Sequence, residues 1–413
     1  MKDDISIYLN DPAQLEKMYR ANRQSFKKAF EAIYPEVKDS PLAAFWHERL
    51  NYGSEEADRG TAGDLLFIAL SCLVAGLIAK LPQLFGWNEE DFYLRNIGFI
   101  VLPLLTAYFA WKNKAGLKRM LFLGSTILAS VFYINLLPSC AADTLLLSCI
   151  HLPLLLWALL GSAFAGRELP QYGGRLLFLK YNGDLAVISA LILFAGALLT
   201  AITIGLFSLI GFRIEEFYFE HVVVFGLPAV PLTGTYLVKA NPQLVGRISP
   251  VIARIFSPLV ALMLAIYLAA IVYSGKDPYN DREFLMVFNV LLAGVMAIIF
   301  FSVAESGKEH KGKREAWVLL PLSAITLVVN GIALSAILFR ISEWGLTPNR
   351  TAVLGANLLI LVNLLLVAIQ LFKCVTGKRD TGSVGKIIAA YLPVYFVWAA
   401  IVTFFFPLVF RFG

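Results

Sequence analysis

Apolar residues in this chain gather in long runs instead of alternating with polar ones. The runs fall at about 62–82, 97–111, 120–137, 144–165, 184–211, 221–238, 255–274, 285–304, 317–339, 351–372 and 386–410. A helix rises about 1.5 Å per residue, so a hydrocarbon core about 30 Å thick takes roughly 20 such residues. The pattern predicts eleven membrane helices. Residues 1–60 carry a different pattern. Leu15, Met18, Tyr19, Phe26, Ala29, Phe30 and Ile33 recur at helical spacing, with Lys and Arg mostly on the other face. Asp11, Pro12 and Gln14 read as a helix start: a capping carboxylate, proline at the first helical position and a capping-box-like glutamine. Asn22 interrupts the stripe. Two readings are open, a basic amphipathic helix lying on anionic lipid or a helix packed onto the protein's own inner face, with Pro41–Leu50 able to pack against it.

The predicted organisation is a helical N-terminal segment over 1–60, on the cytoplasmic side, and a transmembrane domain over 61–413. The fold class is an all-α polytopic bundle. Composition agrees: of 413 residues, 58% are apolar and 15% charged, with a mean hydropathy of +0.71. Soluble chains run to about half apolar and a quarter charged. Disordered, collagen-like, coiled-coil and disulfide-scaffold classes are excluded on the same figures.

The net charge of +6 is spread in groups between the apolar runs, which fits membrane topology better than a nucleic-acid surface. The even-numbered connections hold 18 Lys and Arg and the odd-numbered ones 7, and nine more precede the first run. That asymmetry places the N-terminus inside and the C-terminus outside. The first residues lack an apolar signal-peptide core, so the first membrane helix is expected to direct insertion. Cys72, Cys140, Cys149 and Cys374 form no CxxC pair, and neither a disulfide framework nor a metal site is predicted.

Internal similarity carries more information than any catalytic motif. Gly63-Asp64-Leu65 recurs as Gly183-Asp184-Leu185, and Ala75-Gly76 recurs as Ala195-Gly196 at the same offset. Glu89-Glu90-Asp91-Phe92-Tyr93 is echoed by Glu215-Glu216-Phe217-Tyr218, and Pro103 by Pro228. Both units start on the same side, so the repeat is parallel. A second match joins Gly275-Lys276-Asp277-Pro278, Arg282 and Asn289 to Gly345-Leu346-Thr347-Pro348, Arg350 and Asn357. Seven residues span almost two helical turns, so each Arg and Asn share one face about 10 Å apart.

The run Ile341-Ser342-Glu343-Trp344-Gly345-Leu346-Thr347-Pro348-Asn349-Arg350 resembles the (Tyr/Trp)-Gly-Leu-Thr-Pro-Asn-Arg signature of a bacterial inner-membrane family known only as a domain of unknown function. Asp281-Arg282-Glu283-Phe284-Leu285, with Asn289, is similar to that family's earlier block. The resemblance covers roughly residues 180–372 and the rest loosely, and Trp344 stands where Tyr is expected. It implies a multi-pass protein of the bacterial inner membrane and carries no catalytic residue across.

Arg282 and Arg350 offer forked donors suited to phosphate or carboxylate, or they anchor loops at headgroup level. Asn289, Asn330, Asn357 and Asn363 are amides within apolar helices. A lipid-facing amide is costly, so they should face the bundle interior, as interhelical hydrogen bonds or as a cavity lining. Gly226, Pro228, Pro231 and Gly234 predict a break or wide kink in the sixth helix. Asp64 and Asp184 read as N-caps, and His151 as an interior hydrogen-bonded ring. HExxH, GxSxG and Rossmann glycine signatures are absent, and Gly382-Ser383-Val384-Gly385-Lys386 lacks P-loop spacing. No catalytic residue or cofactor is predicted. The leading expectation is a permease or lipid/small-molecule carrier, with an outward vestibule lined by Arg282, Asn289, Arg350 and Asn357 and with Asn330 as a further ligand contact. Alternatives are a membrane enzyme acting on a phosphorylated lipid, with Glu283 or Glu343 nearest the arginines, and a membrane sensor or assembly scaffold. Membrane lipids are the expected partners, with a lipid or small-molecule ligand and no nucleic acid.

Overall fold

The computed structural model describes residues 2–38, 40–51, 62–138, 143–209, 213–241, 257–266, 268–269, 282–306 and 312–411. Every regular element among them is a helix. The chain divides into two compact units, residues 1–62 with 239–242, and residues 63–238 with 243–413.

The first unit holds four short helices, α1 (Lys2–Ile7), α2 (Pro12–Ala21), α3 (Arg23–Val37) and α4 (Pro41–Asn51). Asp11 caps α2, its carboxylate accepting from the N–H groups of Ala13 (3.0 Å) and Gln14 (3.2 Å). Asn22 is where the predicted single helix breaks. Its N–H donates to Met18 O, closing α2, and its Oδ1 accepts from Ser25 N–H at 3.0 Å, opening α3. The break folds the apolar stripe onto itself. Leu15, Phe26 and Phe30 are buried with Trp46 of α4, and the Phe26 and Trp46 ring centroids lie 5.2 Å apart. Arg49 lies over the Trp46 ring, 4.7 Å from its centroid, and pairs with Glu16 at 2.8 Å. The stripe is thus the core of a small helical unit, packed against 41–50, rather than a face laid on lipid.

The second unit contains α5 (Ala62–Phe85), α6 (Glu89–Lys112), α7 (Leu117–Leu136), α8 (Asp143–Ala165), α9 (Tyr172–Leu209), α10 (Glu215–Ala240), α11 (Ser257–Ile266), α12 (Arg282–Ser306), α13 (Gly312–Trp344), α14 (Pro348–Val375) and α15 (Gly382–Val409). Among the described residues, ten of these are long and apolar enough to cross a membrane, α11 being too short. This is the architecture of a multi-pass membrane protein. The predicted run at 255–274 lies partly outside the described residues. Two cores hold the helices together. One is built on α12–α15 around Leu292, Val295, Val329, Leu364 and Ile388. The other is built on α5, α6, α8, α9 and α10 around Tyr108, Phe109, Leu160, Phe178 and Leu232.

Two sequence expectations need correction. Asp184 does not cap a helix, because α9 begins at Tyr172, twelve residues earlier, and Asp184 is a buried residue of its interior. Asp64 lies in the first turn of α5, where its carboxylate is held by Lys112 Nζ (2.8 and 3.0 Å) and Tyr108 Oη (3.2 Å). In the sixth predicted helix the break, one of the two outcomes expected at Pro228 and Pro231, is not seen, since both sit inside the α-helical stretch Val224–Ala240. The irregularity falls one turn earlier, as a π-helical turn at Phe219–Val223. There Val224 N–H bonds Phe219 O instead of Glu220 O, and Lys80 Nζ of α5 supplies a donor to Glu220 O at 2.8 Å.

The same device recurs on α15. Proline has no N–H, so it frees the carbonyl four residues before it. Pro393 frees Ala389 O, which accepts from Arg175 Nη1 of α9 at 3.1 Å. Pro407 frees Thr403 O within a π-helical turn at Ile401–Phe405. That oxygen accepts from Tyr133 Oη of α7 (2.8 Å) and Ser148 Oγ of α8 (2.9 Å). Three helices are thereby tied at one carbonyl. A buried acceptor stripped of its donors costs about 1–3 kcal/mol. The double variant Tyr133→Phe/Ser148→Ala should therefore lower the unfolding midpoint measured by thermal denaturation in detergent. Adding Pro407→Ala, which restores an N–H for Thr403 O, should recover part of the loss. An unchanged midpoint in the double variant would refute this role for the carbonyl.

Candidate functional site

The α13–α14 hairpin holds three of the five residues singled out from sequence. Its turn is set by Gly345, whose φ of +75° suits the left-handed position that closes a helix. Gly345 N–H donates to Ile341 O at 2.9 Å. Thr347 then caps α14, its Oγ1 accepting from Arg350 N–H at 3.3 Å, and Pro348 occupies the first helical position. The Gly-Leu-Thr-Pro-Asn-Arg run is accordingly a helix stop followed by a helix start.

Arg350 closes this turn. Its Nη1 donates to Trp344 O (2.8 Å) and Gly345 O (2.7 Å), carbonyls that the end of α13 leaves without intrahelical donors. Its guanidinium lies 5.7 Å from the Trp344 ring centroid, and Arg340 lies at the same distance. Trp344 and Leu346 are exposed.

Seven residues further on, Asn357 is 1% exposed, and Asn330 of α13 is fully buried. Asn330 Nδ2 donates to Asn357 O at 3.2 Å, bringing the two together. Neither amide is then used up. Among the described residues, Asn330 Oδ1 and Asn357 Nδ2 have no hydrogen-bond partner, although both atoms are buried. Asn289 of α12 is half-buried, and its buried Oδ1 is likewise without a partner among the described residues. Asn363, fully buried, donates through Nδ2 to Tyr395 Oη at 2.9 Å while its Oδ1 has none. α12, α13 and α14 pack on one another. The segments 285–304, 316–339 and 351–372 contain no Asp, Glu, Lys, Arg or His. The amides are therefore among the most polar groups of these stretches. Arg282 opens α12 at its backbone, but its side chain lies outside the described residues, as does the Gly275–Pro278 half of the repeated motif.

Several other polar groups, most of them not singled out from sequence, are engaged, although Gln83 Oε1, Ser189 Oγ, Gln370 Oε1, Trp398 Nε1 and Thr403 Oγ1 are also buried without a hydrogen-bond partner among the described residues. Asn96 of α6 and Asn135 of α7 exchange amide bonds reciprocally at 3.0 and 2.9 Å. The buried Arg95 bonds Asp91 on its own helix and the carbonyls of Ile134 and Leu137 at the end of α7. Asn113 caps the end of α8 through Ala163 O and Phe164 O. Lys180 of α9 pairs with the buried Glu305 of α12 at 2.8 Å, and Trp157 donates to Asn182 at 2.7 Å. His151 Nδ1 lies 2.9 Å from Leu147 O on its own helix. Among the described residues no three His, Cys, Asp or Glu side chains are grouped as metal ligands. Asn96 and Asn135 had a readable signal, an amide at the edge of one apolar run and another inside the next. Arg95 had none, because a cation beside a run reads equally well as a topology marker.

Comparison with family models, with curated proteins and with solved structures returns no match.

If Arg350 chiefly satisfies the end of α13, Arg350→Leu should destabilise the protein by about 1–2 kcal/mol, as for a charge-assisted hydrogen bond in a half-exposed setting. Arg350→Lys should lose less. Thermal unfolding in detergent measures both, and a Leu variant as stable as the parent would contradict the assignment.

Proposed function

We propose that this chain is a permease or carrier of a lipid or small molecule in the inner membrane of a bacterium. Its N-terminal helical unit faces the cytoplasm. Asn289, Arg350 and Asn357 lie along an outward vestibule that leads towards Asn330, and Arg282, whose side chain lies outside the described residues, belongs to the same sequence motif. The observation that carries the reading is the set of buried amide atoms on α12, α13 and α14 without hydrogen-bond partners among the described residues. Each such atom costs about 1–3 kcal/mol. Leucine at the same positions would pack without that cost. A binding site for a polar group accounts for keeping the amides, whereas a purely structural bundle has no use for half-satisfied ones. The distribution of Lys and Arg between connections supports the orientation, and the resemblance of 341–350 to an inner-membrane family supports the location.

Two measurements test this. Alkaline phosphatase fused after Thr347 should be active and after Lys311 silent, and the reverse pattern would invert the vestibule. Native mass spectrometry of gently purified protein should show a retained lipid or metabolite whose occupancy falls in Asn330→Ala/Asn357→Ala. An adduct pattern identical in the parent and the double variant would argue against a site at these amides.

A further inference from the structure

The seam between α13 and α14 narrows the chemistry of the ligand, an inference that rests on the carrier reading above. Asn330 and Asn357 are 0% and 1% exposed and are joined by one bond, Asn330 Nδ2 to Asn357 O at 3.2 Å. Among their fully buried side-chain atoms, one acceptor, Asn330 Oδ1, and one donor group, Asn357 Nδ2, are left over. Their opposite hydrogen-bonding senses and close placement match a group that donates and accepts at once.

Charge is disfavoured at this seam. The helical stretches 316–339 and 351–372 hold no ionisable side chain, so an ion there would have no counter-charge within those stretches. Arg350, the nearest cation on α14, has Nη1 committed to Trp344 O and Gly345 O. It stands seven residues from Asn357, about 10 Å along the helix. We infer that the Asn330–Asn357 seam binds a neutral solute through a group that is both donor and acceptor, a hydroxyl or a carboxamide. Phosphate, carboxylate and metal ions are not its ligands.

The test uses the full-length protein reconstituted in vesicles of bacterial polar lipid, with swelling followed by light scattering. Erythritol represents hydroxyl solutes, malonamide represents carboxamides, and phosphate and sodium uptake are measured in parallel. Swelling with erythritol, malonamide or both, faster than in protein-free vesicles, is the expected result, and the solute that works names the group. Asn330→Leu and Asn357→Leu should each cut that excess rate by about tenfold, the loss that one buried hydrogen bond confers. If the Leu variants do not fold, the near-isosteric Asn357→Asp removes the donor pair and should show the same loss. Uptake of phosphate or sodium with no swelling by either neutral solute would overturn this inference and leave a carrier in place. Variants as fast as the parent would overturn the assignment to this seam. No solute crossing at all would overturn the carrier reading together with the inference.

Discussion

A carbonyl oxygen inside a bilayer has no water to turn to, and most of the unusual side-chain contacts in this protein follow from that constraint. α15 meets it twice. Pro393 and Pro407 each remove an N–H, and the carbonyls of Ala389 and Thr403 are satisfied by side chains from α9, α7 and α8. In water the same prolines would merely kink the helix while solvent filled the gap. Here each becomes a point where a neighbouring helix must dock in one register to deliver a donor. Proline, usually a source of disorder in a helix, acts in this chain as a source of tertiary specificity.

Helix ends pose the same demand, and the long polar side chains answer it. Arg95 serves the end of α7, Asn113 and Arg119 the end of α8, and Arg350 the end of α13. Donors are needed at the ends because the last four carbonyls of a helix have no intrahelical partner. The guanidinium suits this work, offering several N–H groups in a fixed plane. A consequence is that several cations of the membrane unit are engaged close to their own elements. The inner stretches of α12, α13 and α14 are left with amides as their strongest polar groups.

Much of the architecture was legible because hydrophobic run length is a direct physical requirement of the bilayer. Outside the run at 255–274, each predicted run overlaps one of the long helices over nearly all of its length. What pattern could not show was where helices begin. α9 starts at Tyr172 and carries Arg175 and Lys180 inside its first turns, so a boundary drawn at the first apolar residue came twelve positions late and turned Asp184 into a cap. Asn22 was visible as an interruption, but only the fold makes it a joint between two helices. The interior position of Asn330, Asn357 and Asn363 was legible, since an amide facing lipid is expensive. The partner of each was not, because a hydrogen bond between helices depends on relative register, and run lengths carry no information about it. Arg350 shows the limit most sharply. An arginine after a Gly-x-x-Pro turn has the same sequence whether its guanidinium points out to a ligand or back to Trp344 O.

Asparagine occurs in this bundle in two states, and their difference carries the functional argument. Asn96 and Asn135 face each other across α6 and α7 and exchange both bonds. Such a pair is complete, and it needs nothing beyond adhesion between helices to explain it. Asn330 and Asn357 are also adjacent and more deeply buried, yet they share one bond made to a backbone oxygen, and a buried acceptor and a buried donor remain unused. A pair selected only for adhesion would settle into the reciprocal arrangement already found elsewhere in the same chain, since the chemistry is identical. It does not, although the stretches 316–339 and 351–372 around the two amides hold no charged side chain to compete for them, and that unused capacity is the observation on which the proposed site rests.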